Sequence, residues 1–264
     1  MRLGIIGGTG LISVDAEAGF FSEDCSLVRY DTISVETEYG FAPLQCLTIE
    51  TPNGVNECVF LQRHHSESGH GTPPHQINHH ANMKALGQAN LDLILSVCSV
   101  GSLDESFPPG KIAVAQQYID LTGKATTFHE LESTFTSVTV PFHPQWNQFV
   151  VDTLRQLQGF ELTTPMQYTY WLTEGPQFET PADVNAIAKL GGQMVGMTMP
   201  REAKLAAELG IPYVAVCISS NWAAGRVPGN KFEPVDHEAV SAQANERLGP
   251  IWDLVKAILF KREP

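Results

Sequence analysis

Short apolar runs that end in glycine or in a polar cluster recur along this 264-residue chain. LGIIGG (3–8), CVFLQR (58–63), LDLILSVCSVGSL (91–103), KIAVAQQYIDL (111–121), MQYTYWLTEG (166–175), QMVGM (193–197) and PYVAVCISSN (212–221) have the length and Val/Ile content of buried strands. Between several of them, NHHANMKALGQAN (78–90), HPQWNQFVVDTLRQLQ (143–158), TPADVNAIAKLG (180–191) and PREAKLAAELG (200–210) space their apolar residues three and four apart. That spacing buries one face of a helix, and three of these segments end at a glycine soon followed by the next strand. The final stretch, DHEAVSAQANERLGPIWDLVKAILF (236–260), reads as a helix capped by Asp236. Strands alternating with helices predict an α/β fold with a central mixed sheet and helices on both faces. No internal repeat or linker interrupts the pattern, so residues 1–264 are expected to form a single domain.

Composition agrees and removes several kinds of function. An apolar content of 43% is enough for a sizeable core. The net charge of -13, with a pI near 5.0, would repel nucleic acid and anionic membrane over most of the surface. Any phosphate chemistry therefore has to use a local pocket. The chain shows no apolar run near the ~20 residues of a spanning helix and no leader pattern, which makes the expected location cytoplasmic. Its five cysteines include no CxxC pair and are a poor basis for a disulfide framework, and Cys98 and Cys217, in apolar strand-like runs, read as buried thiols rather than nucleophiles.

In an open α/β sheet ligands gather at the carboxyl ends of strands, so the residues there carry the candidate chemistry. GGTG (7–10) either makes a tight turn or lets backbone N–H groups and Thr9 converge on an anion. Arg63 and His64 end the second run, where a guanidinium fork and an imidazole suit phosphate oxygens or simply meet solvent. CSVG (98–101) offers the Ser99 hydroxyl and, at Gly101, room for a flat ligand. EGPQFET (174–180) brings Phe178, which could stack on a base, and Glu179, which could bond its edge or merely start a helix. GMT (196–198) adds Met197 and Thr198, and ISSN (218–221) adds Asn221.

Taken in order, GGTG, RH, PPHQINHHAN, VGSL, GPQFET, GMT and SSN resemble the trimeric purine nucleoside phosphorylase and methylthioadenosine phosphorylase family, from about residue 3 to the C-terminal helix. The resemblance implies phosphorolysis of a purine nucleoside to free purine and a pentose 1-phosphate. Inorganic phosphate is then the co-substrate, with no metal or organic cofactor. It also implies a homotrimer, while the acidic charge balance already argues for no nucleic-acid or membrane partner. Carried over residue by residue, it assigns Thr9, Arg63, His64, Ser99 and Thr198 to phosphate, and Gly101, Phe178, Glu179 and Asn221 to the base. Met197 and His237 fall to the sugar, as does Phe135, offered by a neighbouring subunit. Asn221, Glu179 and His64 are the expected catalytic groups.

FET and SN resemble the 6-oxopurine enzymes, whereas the short N-terminus and adjacent RH resemble the methylthionucleoside branch. Phosphorolysis of 6-oxopurine nucleosides is the first expectation, and 5′-methylthioadenosine or 5′-methylthioinosine phosphorolysis the alternative. His237 near a 5′-hydroxyl, or small residues such as Ala242 near a methylthio group, would decide between them. The sequence departs from the family at GMTMPRE, where Arg201 stands in place of a proline and Glu202 keeps its position. Two rivals remain: a nucleoside sensor without turnover, and a metal-dependent hydrolase using the histidine stretch at 64–80. For the latter, His75 and His79 lack an HExxH pattern and a third ligand.

Overall fold

The computed structural model describes residues 1–9, 11, 20–66, 68, 69, 71–236, 240, 242, 244, 247–261 and 263. Nine strands form one mixed sheet: β1 (Arg2–Gly7), β2 (Ser26–Thr37), β3 (Gly40–Thr51), β4 (Gly54–Gln62), β5 (Leu93–Ser102), β6 (Ile112–Asp120), β7 (Gln167–Leu172), β8 (Met194–Gly196) and β9 (Tyr213–Trp222). The helices are α1 (His79–Gly87), α2 (Pro144–Leu157), α3 (Pro181–Lys189), α4 (Met199–Glu208) and α5 (Leu248–Lys261). The α/β class and mixed sheet expected from the alternating pattern are what is found.

The order β2-β3-β4-β1-β5-β8-β7-β6-β9 bends back on itself, because β9 also pairs with β5. β5 is thus a branch point, parallel to β1 and to β9 and antiparallel to β8 at its C-terminal end. Its side chains alternate between two cores, as a period of two requires. Leu93, Leu95 and Val97 face Trp146, Val150 and Leu154 of α2 and Trp252 and Val255 of α5. Ile94, Cys98 and Val100 face Met83 and Leu86 of α1 and Ala203 and Leu205 of α4. A third, smaller cluster seats α3 through Val184 and Ile187 on Trp171, Val195 and Ala223, which brings the start of α3 to the end of the sheet.

Two strands were not read from the sequence. β2 is almost wholly exposed along SLVRYDTISVET, and its partner β3 carries Pro43, so neither forms the continuous apolar run of a buried strand. The helix expected to start at Asp236 leads into residues 237–239, outside those described, and α5 is assigned from Leu248.

Candidate active site

Register alone assembles most of the site around β5. Ile6 pairs with Ser96, and Thr9, two residues past the end of β1, lines the same cavity as Ser99. Gly7 pairs with Gln62, and the Arg63 N–H donates to the Gly7 carbonyl at 3.0 Å, which sets Arg63 and His64 beside the GGTG turn. On the other side of β5, Gly101 pairs with Asn221 and with Val195. A cavity of about 800 Å³ opens over these strand ends. Thr9, Arg63, His64, Ser99, Gly101, Phe178, Glu179, Met197, Thr198 and Asn221 all line it.

At one end lie the candidate anion ligands. Thr198 is the N-cap of α4, yet its hydroxyl makes no cap hydrogen bond, so both the hydroxyl and the helix N-terminus are available to an anion. Gly196 allows this arrangement, because a Cβ there would lie 2.1 Å from the Tyr170 hydroxyl buried beneath the helix start. His64 Nδ1 lies 2.8 Å from the Thr72 carbonyl, which fixes the proton on Nδ1 in the neutral ring.

Arg63 departs from the simple picture of a fork facing phosphate. It is 2% exposed, and its Nε lies 2.7 Å from Glu202 Oε1. Nη2 donates to Ser96 Oγ at 2.7 Å and to Glu202 Oε2 at 3.3 Å, and Nη1 donates to the Val97 carbonyl at 3.0 Å. At most one Nη1–H remains for a ligand oxygen. Nη1 also lies where a Cβ on Gly8 would stand at 2.6 Å, which explains the glycine in the adjacent turn. Burial works against the Arg63 charge, but Glu202 outweighs it and holds the guanidinium pKa above its ordinary value. Glu202 itself also accepts from Ser96 Oγ and from the Tyr213 hydroxyl. This buried ion pair was missed in the sequence, where Glu202 stood out only for keeping its place in GMTMPRE.

At the other end, Asn221 donates from Nδ2 to the Trp222 carbonyl at 2.8 Å, and its Oδ1 lies 3.0 Å from Ser220 Oγ. With Oδ1 facing a hydroxyl, the amide keeps a second N–H for a ligand. A Cβ on Gly101 would lie 3.4 Å from this amide and 3.2 Å from Val195, so the strand stays flat where a ring could sit. Glu179 accepts from Thr173 Oγ1 at 2.7 Å. Burial pushes its pKa above the usual carboxylate range, and the Thr173 hydroxyl draws it partly back.

The remaining predicted residues are placed differently. Phe135 is 94% exposed and outside the cavity, so it is no part of the chain's own core. His237 lies outside the described residues, and Ala242 is exposed. The cavity wall is completed instead by Val235 and Val240, which sequence reasoning did not single out. Of the histidine stretch, His65 Nε2 meets Asn82 Oδ1 at 2.7 Å and His80 Nε2 meets the Thr127 carbonyl at 3.0 Å. His75 is exposed, whereas His79 is 5% exposed and kept neutral, first by burial and then by Arg201 and Arg63. Among the described residues no group of three or more His, Cys, Asp or Glu could hold a metal, and no helix is long and apolar enough to cross a membrane. Four of the five cysteines are buried, and burial raises the pKa of every thiol, so none is poised as a thiolate.

A family model described as the phosphorylase superfamily matches residues 2–258. The chain is 33% identical over 267 residues to the 6-oxopurine nucleoside phosphorylase of Pyrococcus furiosus, covering 98% of this chain and 91% of that protein. It is 31% identical over 264 residues to a probable S-methyl-5′-thioinosine phosphorylase of Thermodesulfovibrio yellowstonii, covering 99% and 91%. Among solved structures, a methylthioadenosine phosphorylase from Schistosoma mansoni in complex with adenine superposes with a TM-score of 0.81 at 23% identity, over 100% of this chain and 93% of that one.

Proposed function

Because the chain belongs to the phosphorylase superfamily, we propose that it cleaves purine nucleosides with inorganic phosphate and prefers a 6-oxopurine base. The observation that carries this reading is the pairing of a carboxylate, Glu179, with an amide, Asn221, in the cavity that also holds Thr9, His64 and Thr198. A phosphate oxygen held at the strand ends forms a bond to C1′ as the bond from C1′ to N9 breaks. The bonding electrons leave with N9 and spread over the purine toward N7, where the spare Asn221 N–H meets them. Such a hydrogen bond strengthens as charge develops, which is what lowers the barrier. Glu179 accepts from N1–H of hypoxanthine or guanine. Adenine offers an acceptor at N1, and an ionised Glu179 opposes it.

The pKa of Glu179 gives this preference a pH dependence. Because burial raises it, the carboxyl protonates at a higher pH than an exposed Glu, and a protonated carboxyl donates to adenine N1. The ratio of kcat/KM for inosine over adenosine should therefore rise as pH climbs through this pKa. Stability runs the opposite way, since a raised carboxylate pKa contributes stability at low pH that is lost as the group ionises. A substrate panel of inosine, guanosine, adenosine, methylthioadenosine and methylthioinosine, with and without phosphate across this range, tests both statements. Purine release that ignores phosphate would end the phosphorylase reading, and a flat inosine-to-adenosine ratio would remove Glu179 as the selector.

A second reading, a 5′-methylthio sugar, is favoured by Val235 and Val240, which add apolar side chains to the lining of the cavity that Met197 also lines. The same panel separates it, because methylthioinosine should then outrun inosine. The exposure of Phe135 supports a homotrimer in which this ring closes a neighbour's cavity. Phe135→Ala should then raise the nucleoside KM without loosening folding of the monomer. A fully active monomer in sedimentation experiments would count against it.

A further inference from the structure

Arg201, the departure at GMTMPRE, is 6% exposed in the first turn of α4, where the helix dipole disfavours a cation. It does not line the cavity. Its Nη2 donates to Glu174 Oε2 at 2.6 Å, and Lys124 holds the other oxygen of the same carboxylate. Burial would raise the Glu174 pKa, but these two cations outweigh it and keep it below the usual range. Glu174 stands at the head of the segment that ends in Phe178 and Glu179. That segment has little packing of its own, with Pro176, Gln177 and Phe178 exposed. It is tied down at three points: Thr173 to Glu179, Glu174 to Arg201, and Gly175 against Met197. At Gly175, where φ is +68°, a Cβ would lie 2.5 Å from the Met197 sulfur, so the segment touches the turn that leads to Thr198.

From this geometry, and resting on the phosphorylase reading above, we infer that Arg201 is a positioning residue for base recognition. Through Glu174 it fixes Phe178 and Glu179 relative to the helix whose N-terminus faces the phosphate. A buried guanidinium hydrogen-bonded to a carboxylate holds one orientation, as a proline at this place could not. Removing it leaves the segment anchored by Lys124, an exposed side chain whose ion pair is worth little.

The test uses Arg201→Met, Glu174→Gln, their combination, and Arg201→Lys, with KM for inosine and for phosphate, kcat and thermal melting measured on each. In Arg201→Met and in Glu174→Gln the inosine KM is expected to rise about tenfold, and the combination no further, because both break one link. Arg201→Lys should restore most of the loss. The phosphate KM should not rise. A phosphate KM that rises in step with the inosine KM in Arg201→Met would make Arg201 a phosphate ligand instead. Losses that add in the combination, or a lowered melting temperature with an unchanged inosine KM, would equally overturn the inference. Wild-type protein without phosphate-dependent purine release would defeat the underlying functional reading, a result separable from any of these.

Discussion

Replacing Glu179 by Ser together with Asn221 by Asp should move the preference from 6-oxopurine toward 6-aminopurine nucleosides by about ten- to a hundredfold. Under the proposed function Glu179 presents an acceptor to N1, which suits N1–H of hypoxanthine and opposes the lone pair of adenine. Serine removes that opposition. Asn221 presents a donor, with its Oδ1 beside Ser220 and one N–H on the Trp222 carbonyl. Aspartate in the same place supplies an acceptor for the exocyclic amine of adenine. Each mismatch is worth ~1–3 kcal/mol, which sets the size of the switch. The measurement is the ratio of kcat/KM for inosine and adenosine in wild type and double variant. A wild type that already prefers adenosine would sink the base assignment.

The second large effect concerns Arg63, where one substitution confounds the loss of a proposed phosphate contact with the loss of the buried partner of Glu202. Arg63→Met removes its remaining ligand donor, and the phosphate KM should rise by roughly ten- to a hundredfold, the equivalent of a charge-assisted hydrogen bond of ~1.5–3 kcal/mol. It also leaves Glu202 buried without its cation, with Ser96 and Tyr213 to meet it. Breaking such a pair costs about 3–5 kcal/mol, which lowers the melting temperature of a chain this size by roughly 10 °C. Converting both residues, Arg63→Met with Glu202→Met, removes the stranded charge and should return much of the stability while leaving phosphate binding weak. If the double variant recovers phosphate affinity as well, Arg63 is only a structural partner of Glu202. An inosine KM that rises as much as the phosphate KM would also remove it from the phosphate end.

The sequence made the inner strands and the order of the site residues legible, because buried parallel strands are continuous apolar runs and their carboxyl ends are where polar residues interrupt them. Ser99, Gly101 and Asn221 could be found in this way. What register adds is that they are neighbours: Gly101 meets Asn221 only because β9 returns beside β5. β2 escaped notice because a strand exposed on both faces has no hydrophobic period to detect. Glu202 escaped for a different reason. A glutamate in the first turn of a helix is expected in solvent, and nothing local shows that Arg63, distant in the chain, will bury against it. Val235 and Val240 could not be picked out, because which side chains reach the cavity depends on tertiary placement rather than on any spacing.

The position of β5 between β1, β9 and β8 has a consequence for how the protein opens and how it can change. Its residues Ile94–Ser96, paired with both β1 and β9, and Gly101–Ser102, paired with both β8 and β9, should have amides among the slowest to exchange with deuterium, opening only when the whole fold does. The end of β5 that carries Gly101 in the cavity wall is therefore built into the most cooperative part of the molecule. Glu179, Phe178 and Val235 lie on connecting segments that can shift without unfolding the sheet. Substitutions in those segments can alter the choice of base or sugar at little cost to folding. The β5 end of the cavity has no such freedom, so under the proposed function descendants of this fold can drift in substrate while keeping their reaction.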